Sequence, residues 1–243
     1  MIIYGINPVI EALRAGRVDA IRVSQRVDAR LADILDAARK AGVSVKRVDA
    51  HELDRAAQGG VHQGVVALVQ DPGTLGAEDL VTSAAGAPLI VVLDGIEDPH
   101  NVGAILRTVD AAGASGVVRQ QRHAAPLGGA TAKASAGAVS HVKIADVVNI
   151  ARALEELKEA GVWTVGLAGE AGKRYDEIDY TLPTALVVGA EGAGLRRLVR
   201  ERCDWLVSIP MQGHVQSLNV SVATGVVLFE AVRQRLNRPR SST

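Results

Sequence analysis

Three observations predict an α/β fold for this 243-residue chain. Short runs rich in Val, Ile and Leu alternate along its whole length with segments of helical periodicity. Two of those runs, Pro88–Leu93 and Ala185–Val188, are apolar without alternation, as expected of strands covered on both faces in a parallel sheet. Pro and Gly concentrate at Gln70–Gly76, where the apolar pattern stops, so two units are expected on either side of a linker. The boundaries read as 1–70, a linker over 71–80, and 81–243.

The first unit opens with a helix over Asn7–Gly16, with Asn7 as its cap, Pro8 at the first helical position and Gly16 as its stop. A strand follows at Ile21–Ser24, a helix at Ala29–Ala41, a strand at Val43–Val48, a short helix at His51–Ala57 and a closing strand at Val65–Val69. In the second unit β-branched content and short length predict strands at Leu89–Leu93, Val117–Val118, Trp163–Leu167, Leu186–Val188 and Leu206–Ile209. Helical patterns separate them at Val102–Ala112, Val147–Ala160, Leu195–Arg202 and Val220–Leu236.

Composition narrows the function. No apolar run approaches the roughly 20 residues that cross a bilayer, and the N-terminus lacks the basic flank and cleavage site of a signal peptide. A single cysteine, Cys203, excludes an internal disulfide and fits a reducing compartment, the cytoplasm. Net charge is zero, so any nucleic acid must be bound through local arginines and shape. At 2% aromatic residues a base-stacking sheet platform is not expected. The six histidines have no paired ligand spacing, so no metal is expected, and Cys203 reads as structural.

Ligands of open parallel sheets sit beyond the carboxyl ends of the strands, which singles out three loops. In the first, Asp94–Asp110, Asn101 is placed to cap a helix and Gly103 to admit a ligand or another backbone. Arg107 is either a surface arginine paired with Asp110 or a functional group; position alone leaves both open. The second loop, Gly189-Ala-Glu191-Gly192-Ala-Gly194-Leu195, has the wrong spacing for a dinucleotide fingerprint and carries an acid unfavourable to pyrophosphate. Its backbone suits an adenosine or amino-acid-bearing ligand better. A tight turn explains one or two of these glycines, not all three. In the third, Ile209–Gly225, Ser217, Asn219 and Ser221 alternate with Leu218, Val220 and Val222. One polar residue there is capping chemistry; three suggest a ligand loop closed by a helix.

Taken in order, Asn101-x-Gly103-x-x-x-Arg107, Gly189-x-Glu191-Gly192-x-Gly194-Leu195, and Ile209-Pro210-Met211 with Ser217-Leu-Asn-Val-Ser-Val-Ala223 resemble the three motifs of the SpoU/TrmH branch of SPOUT RNA methyltransferases. The first unit is similar to that branch's L30e-like RNA-binding domain, including Gly60-Val-His62-Gln63-Gly64. Within the branch the chain is most similar to the bacterial enzymes that methylate a guanosine ribose 2′-OH in 23S rRNA. The resemblance implies a deep trefoil knot in the second domain, a homodimer, RNA as partner and S-adenosylmethionine (AdoMet) as cofactor. It implies cofactor contacts from Gly189, Gly194, Ile209, Met211 and Leu218, and a catalytic set of Arg107, Asn101, Glu191, Ser217 and Asn219. Arg119-Gln-Gln-Arg122 departs from the hydrophobic-Pro-basic run more usual there, which bears on target choice. A tRNA ribose methyltransferase and a catalytically silent RNA-binding relative remain the alternatives.

Overall fold

The computed structural model describes residues 1–26, 29–70 and 75–237; residues 71–74 of the expected linker and the last six of the expected second domain lie outside the described residues. In chain order the elements are β1 (Ile2–Tyr4), α1 (Ile6–Arg14), β2 (Val18–Ser24), α2 (Ala29–Lys40), β3 (Ser44–Val48), α3 (Ala50–Ala56) and β4 (Val65–Val69). There follow α4 (Ala77–Thr82), β5 (Leu89–Asp94), α5 (Pro99–Ala111), β6 (Gly116–Gln120), α6 (Gly129–Ala134), β7 (Ile144–Val147) and α7 (Ile150–Glu159). The chain continues with β8 (Trp163–Leu167), β9 (Lys173–Arg174), β10 (Thr184–Gly189), α8 (Arg197–Arg202), β11 (Trp205–Ser208) and α9 (Val220–Leu236). Contacts divide the chain into two compact units: Met1–Gly73 with Asp98–Arg107 and Ala125–His141, and Thr74–Glu97 with Thr108–Ala124 and Val142–Thr243.

The first unit holds a four-stranded sheet in the order β1-β4-β2-β3, with β2 and β3 parallel and the other pairings antiparallel. Leu53, Val66, Val48 and Ala57 pack one of its apolar clusters. Its first helix starts earlier than the sequence suggests. Gly5, at φ 95°, is the N-cap, and Asn7 lies inside the first turn. The missing cap comes from a distant residue: the Ile6 N–H donates to Gln63 Oε1 at 3.1 Å. That explains part of the Gly60–Gly64 stretch. Gly64 takes a positive φ, and its N–H donates to His62 Nδ1 at 3.0 Å, which leaves Nε2–H for Asp54 Oδ1 at 3.1 Å.

Within the same unit the first turns of α5 cross α6 closely. A Cβ on Gly103 would lie 2.5 Å from Ala134 Cβ and 2.8 Å from the Thr131 carbonyl oxygen. Of the two partners the sequence left open for Gly103, the structure selects backbone. Asn101 is likewise not the cap. The helix begins at Pro99, and the side chain of Asp98 receives the His100 N–H at 2.9 Å, which leaves Asn101 buried in the first turn.

The second unit is built on a seven-stranded parallel sheet, ordered β7-β6-β5-β10-β8-β11-β9. Ile90, Val92, Ala185 and Val187, from its two central strands, are fully buried in one cluster with Leu154 and Leu157 of α7. Burying each such Val, Ile or Leu side chain contributes about 1.5–3 kcal/mol, which explains why these strands read as unbroken apolar runs. Arg235 ties the end of α9 to the starts of β5 and β10. Its guanidinium donates to the carbonyls of Ala87 (2.6 Å), Pro88 (3.0 Å), Tyr180 (2.8 Å) and Leu182 (3.0 Å). Between β8 and β11, Asp204 accepts from the Thr164 N–H at 2.9 Å, the Thr164 hydroxyl at 2.8 Å and Lys158 Nζ at 2.7 Å.

Two measurements test these accounts. Gly103→Ala should destabilise the fold by about 1–3 kcal/mol in urea denaturation, because the obstructing atoms include α6 backbone. Burial pushes the Asp204 carboxyl up, but its bonds to Lys158 and Thr164 outweigh burial and leave it below its ordinary value. A depressed carboxyl contributes stability above its unfolded pKa and loses it as pH falls through the folded one. Asp204→Asn should therefore be less stable than the parent at neutral pH, with the gap narrowing below about pH 4 in thermal melts.

Candidate functional site

The carboxyl ends of β8, β10 and β11 open onto a cavity of about 680 Å³, within the range of small-molecule sites. Three segments of the second unit line it: 167–170 after β8, 188–195 after β10, and 208–218 after β11, with Val220 and Ala223 of α9 and Arg200 of α8. All five residues expected to touch a cofactor lie on this wall: Gly189, Gly194, Ile209, Met211 and Leu218. Glu191 and Ser217 line it too.

The glycine loop owes its shape to its own backbone. Gly194 N–H returns to the Ala190 carbonyl at 2.8 Å, and a Cβ on Gly189 would lie 2.1 Å from the Gly194 carbonyl carbon. Gly192 and Gly194 adopt φ of 78° and 67°, conformations that side chains with a Cβ rarely take. A tight turn thus accounts for all three glycines, contrary to the expectation that it would account for fewer. What the turn creates is a wall of exposed peptide groups. Both ends of the loop meet the same residue, one through its backbone and the other through its carboxylate. Gly189 is paired in register with Asp94 of β5, and Asp94, fully buried, accepts the Arg196 N–H at 2.7 Å and its Nε–H at 2.6 Å.

The alternating polar residues before α9 divide into two roles. Asn219 is the N-cap of α9: its Oδ1 accepts the Ser221 N–H at 2.9 Å and the Ser221 hydroxyl at 2.6 Å. Thr224, fully buried one turn on, donates its hydroxyl to the Val220 carbonyl at 2.7 Å. Capping therefore explains Asn219 and Ser221, while Ser217 faces the cavity. Asn219 is not among the lining residues.

The cavity's electrostatics are mildly acidic. Glu170 pairs with Arg200, and a backbone hydrogen bond together with that guanidinium holds its carboxyl below the usual range. Arg200 is the one Lys or Arg among the described lining residues, so nothing like a phosphate-binding cluster is present there. Cys203 donates weakly to the Val199 carbonyl at 3.3 Å, and burial pushes its thiol up to about 12, consistent with a structural role. No group of His, Cys, Asp and Glu that could hold a metal occurs among the described residues.

Asn101 and Arg107 lie on the part of α5 assigned to the first unit; Arg107 is exposed. The next residue, Thr108, belongs to the second unit, where its methyl lies 3.6 Å from the position of a Cβ on Gly225 of α9. The sequence did not single out Asp94 as a site residue or Arg196 as its partner. A lone acid at the end of an apolar strand was the available signal.

Comparison with known proteins identifies the family. The SpoU rRNA methylase family model matches residues 88–229, and a model described as RNA 2′-O ribose methyltransferase substrate binding matches residues 2–74. A Pseudomonas putida protein named 23S rRNA (guanosine-2′-O-)-methyltransferase RlmB is 47% identical over 239 residues, 96% of each chain. Its Vibrio cholerae namesake is 45% identical over 236 residues, with the same coverage. The crystal structure of the SpoU methyltransferase AviRb from Streptomyces viridochromogenes in complex with the cofactor AdoMet superposes with a TM-score of 0.81 at 27% identity, over 97% of this chain and 90% of that one. Matched by the family model over more than half its length and by such relatives almost end to end, the chain belongs to the SpoU rRNA methylase family.

Proposed function

We propose that this protein transfers a methyl group from AdoMet to the ribose 2′-OH of a guanosine in 23S rRNA. The observation that carries the reading is the cavity formed by the 188–195 and 208–218 loops, in a chain whose relatives bear that activity in their names. The lining fits AdoMet. Half-buried Leu195, Ile209, Met211 and Leu218 offer apolar surface for an adenine, and the glycine loop offers peptide groups for its polar edge. Glu170 and Glu191 outnumber Arg200 on the lining even though Glu170 is paired with it, which suits a cationic ligand, and no basic cluster among the described lining residues invites a phosphate.

When bound, AdoMet supplies an electrophilic methyl on a sulfonium. The protein must then hold the ribose hydroxyl in line and stabilise the oxygen as it gains the methyl and its proton passes to solvent, the sulfonium becoming a neutral thioether. Arg107 takes that role. A guanidinium stays charged throughout the physiological range, so it orients the 2′-OH and a neighbouring phosphate rather than acting as base. Asn101, buried a turn and a half before it on α5, positions Arg107. Glu191 and Ser217 hold the substrate at the cavity wall, and Asn219 keeps the 208–218 loop in place through its cap.

The domain boundaries (1–70, 71–80, 81–243), the deep trefoil knot, the cytoplasmic location and the homodimer belong to the same reading. The dimer is supported by α9, where Val222, Phe229 and Leu236 recur every seventh residue and are 52%, 50% and 80% exposed. That stripe suits a second copy of the helix. A tRNA target is the second reading; the substrate-binding match over residues 2–74 and the 23S rRNA names of the relatives favour rRNA.

Incubation with labelled AdoMet and separate rRNA and tRNA pools, followed by mapping of the modified ribose, should place label at one guanosine of 23S rRNA. Label confined to tRNA would overturn the target, and no stoichiometric AdoMet uptake would overturn the enzyme. Arg107→Lys should lower the single-turnover rate about 100-fold or more with AdoMet affinity retained. Gly189→Ala, whose methyl has no room against the Gly194 carbonyl, should weaken AdoMet binding by at least about tenfold in calorimetry.

A further inference from the structure

A second cavity, of about 270 Å³, lies beyond the carboxyl ends of β6 and β7, between the starts of α7 and α8. We propose that it is a subsite for one unstacked base of the RNA, next to the nucleotide that is methylated; the proposal rests on the functional reading above. Its apolar surface is open to solvent. Val148 is 79% exposed and Leu198 52% exposed, and Ile150 lies buried beside them.

Donors predominate among the uncommitted side-chain polar groups at this cavity. Gln120 Oε1 is taken by Arg196 Nη2 at 2.9 Å, so its amide N–H groups remain to donate. Asn149 Oδ1 is taken by the Arg152 N–H as the cap of α7, which leaves the Asn149 amide N–H groups. Arg196 spends Nε and Nη2 on Asp94 and Gln120, and its half-exposed guanidinium keeps Nη1. What is left over at the rim is therefore a set of hydrogen-bond donors, suited to an edge bearing acceptors.

Charge separates a base from a phosphate. Arg196 is compensated by the fully buried Asp94, and Arg197 by Glu201 at 2.7 Å. The rim is thus close to neutral, and five of the nine lining residues are aliphatic. An anion would gain little from paired guanidiniums and would lose hydration against Val148 and Leu198. A neutral planar base carrying carbonyl oxygens or ring nitrogens matches both the donors and the aliphatic floor, and a guanidinium held flat by a carboxylate is a surface on which a base stacks. The position fits as well, since the carboxyl edge of the sheet that holds this cavity also holds the larger one.

Val148→Asp and Leu198→Asp place a charge in this cavity at exposed positions, where folding is not at stake. With a 23S rRNA transcript as substrate, each variant should raise the KM for RNA about tenfold, the loss of one base contact, while calorimetry gives the parent's Kd for AdoMet. Chemical probing of the complex should show one base near the modified nucleotide protected by the parent and exposed with either variant. Unchanged RNA KM and unchanged protection in both variants would overturn the subsite, as would loss of AdoMet affinity in parallel with RNA. Occupation of the cavity by a protein would leave the RNA measurements at parental values and so would also overturn it. A parent protein that methylates no RNA would instead overturn the functional reading beneath the proposal.

Discussion

The architecture of the candidate site depends on one buried ion pair. Asp94 ends β5 with no exposed surface, and a lone carboxylate in that position would be costly. Arg196 removes the cost by presenting a peptide N–H and its guanidinium together. Because Gly189 stands beside Asp94 in the β5–β10 register, the loop from 189 to 196 begins at the backbone of Asp94 and ends at its carboxylate. Its two sides then bound different spaces: residues 188–195 face the larger cavity, and Arg196 faces the smaller one beyond β6 and β7. Two cavities at one sheet edge thus share the loop that this ion pair holds.

Several glycines in this protein are required by close approach of the protein's own atoms. Gly103 yields to α6, Gly189 to Gly194, and Gly137 to the side chain of Glu11. Such packing produces the function indirectly. Peptide groups of the 188–195 loop remain at the cavity wall because the turn is too tight to bury them against each other.

Much of this was legible in the residues. The apolar runs Leu89–Leu93 and Leu186–Val188 read as buried strands because both faces are covered, though β5 extends to Asp94 and β10 spans Thr184–Gly189, and Trp163–Leu167 and Val220–Leu236 were read to the residue. Elements of three to six residues, β1, α4, α6 and β7, were not, since so few positions carry no period. Caps misled where another side chain, distant or neighbouring, took the expected residue's place. Asn7 and Asn101 are the residue types that cap helices, yet Gln63 serves α1 from 57 residues away and Asp98 takes the place of Asn101. The alternation Ser217–Ser221 was puzzling as sequence because capping and cavity lining are interleaved within five residues.

The sequence by itself determined the α/β class, the parallel character of the second sheet and the three loops at its carboxyl edge, because burial on both faces and loop chemistry are written locally. Tertiary structure alone decided that two of those loops, 188–195 and 208–218, share one cavity, that Asn219 is a cap while Ser217 is a wall, and that Asp94 governs the glycine loop. The reason is distance along the chain. Asp94 and Arg196 are 102 residues apart, and no local pattern reports a contact that only the strand order β5-β10 brings about.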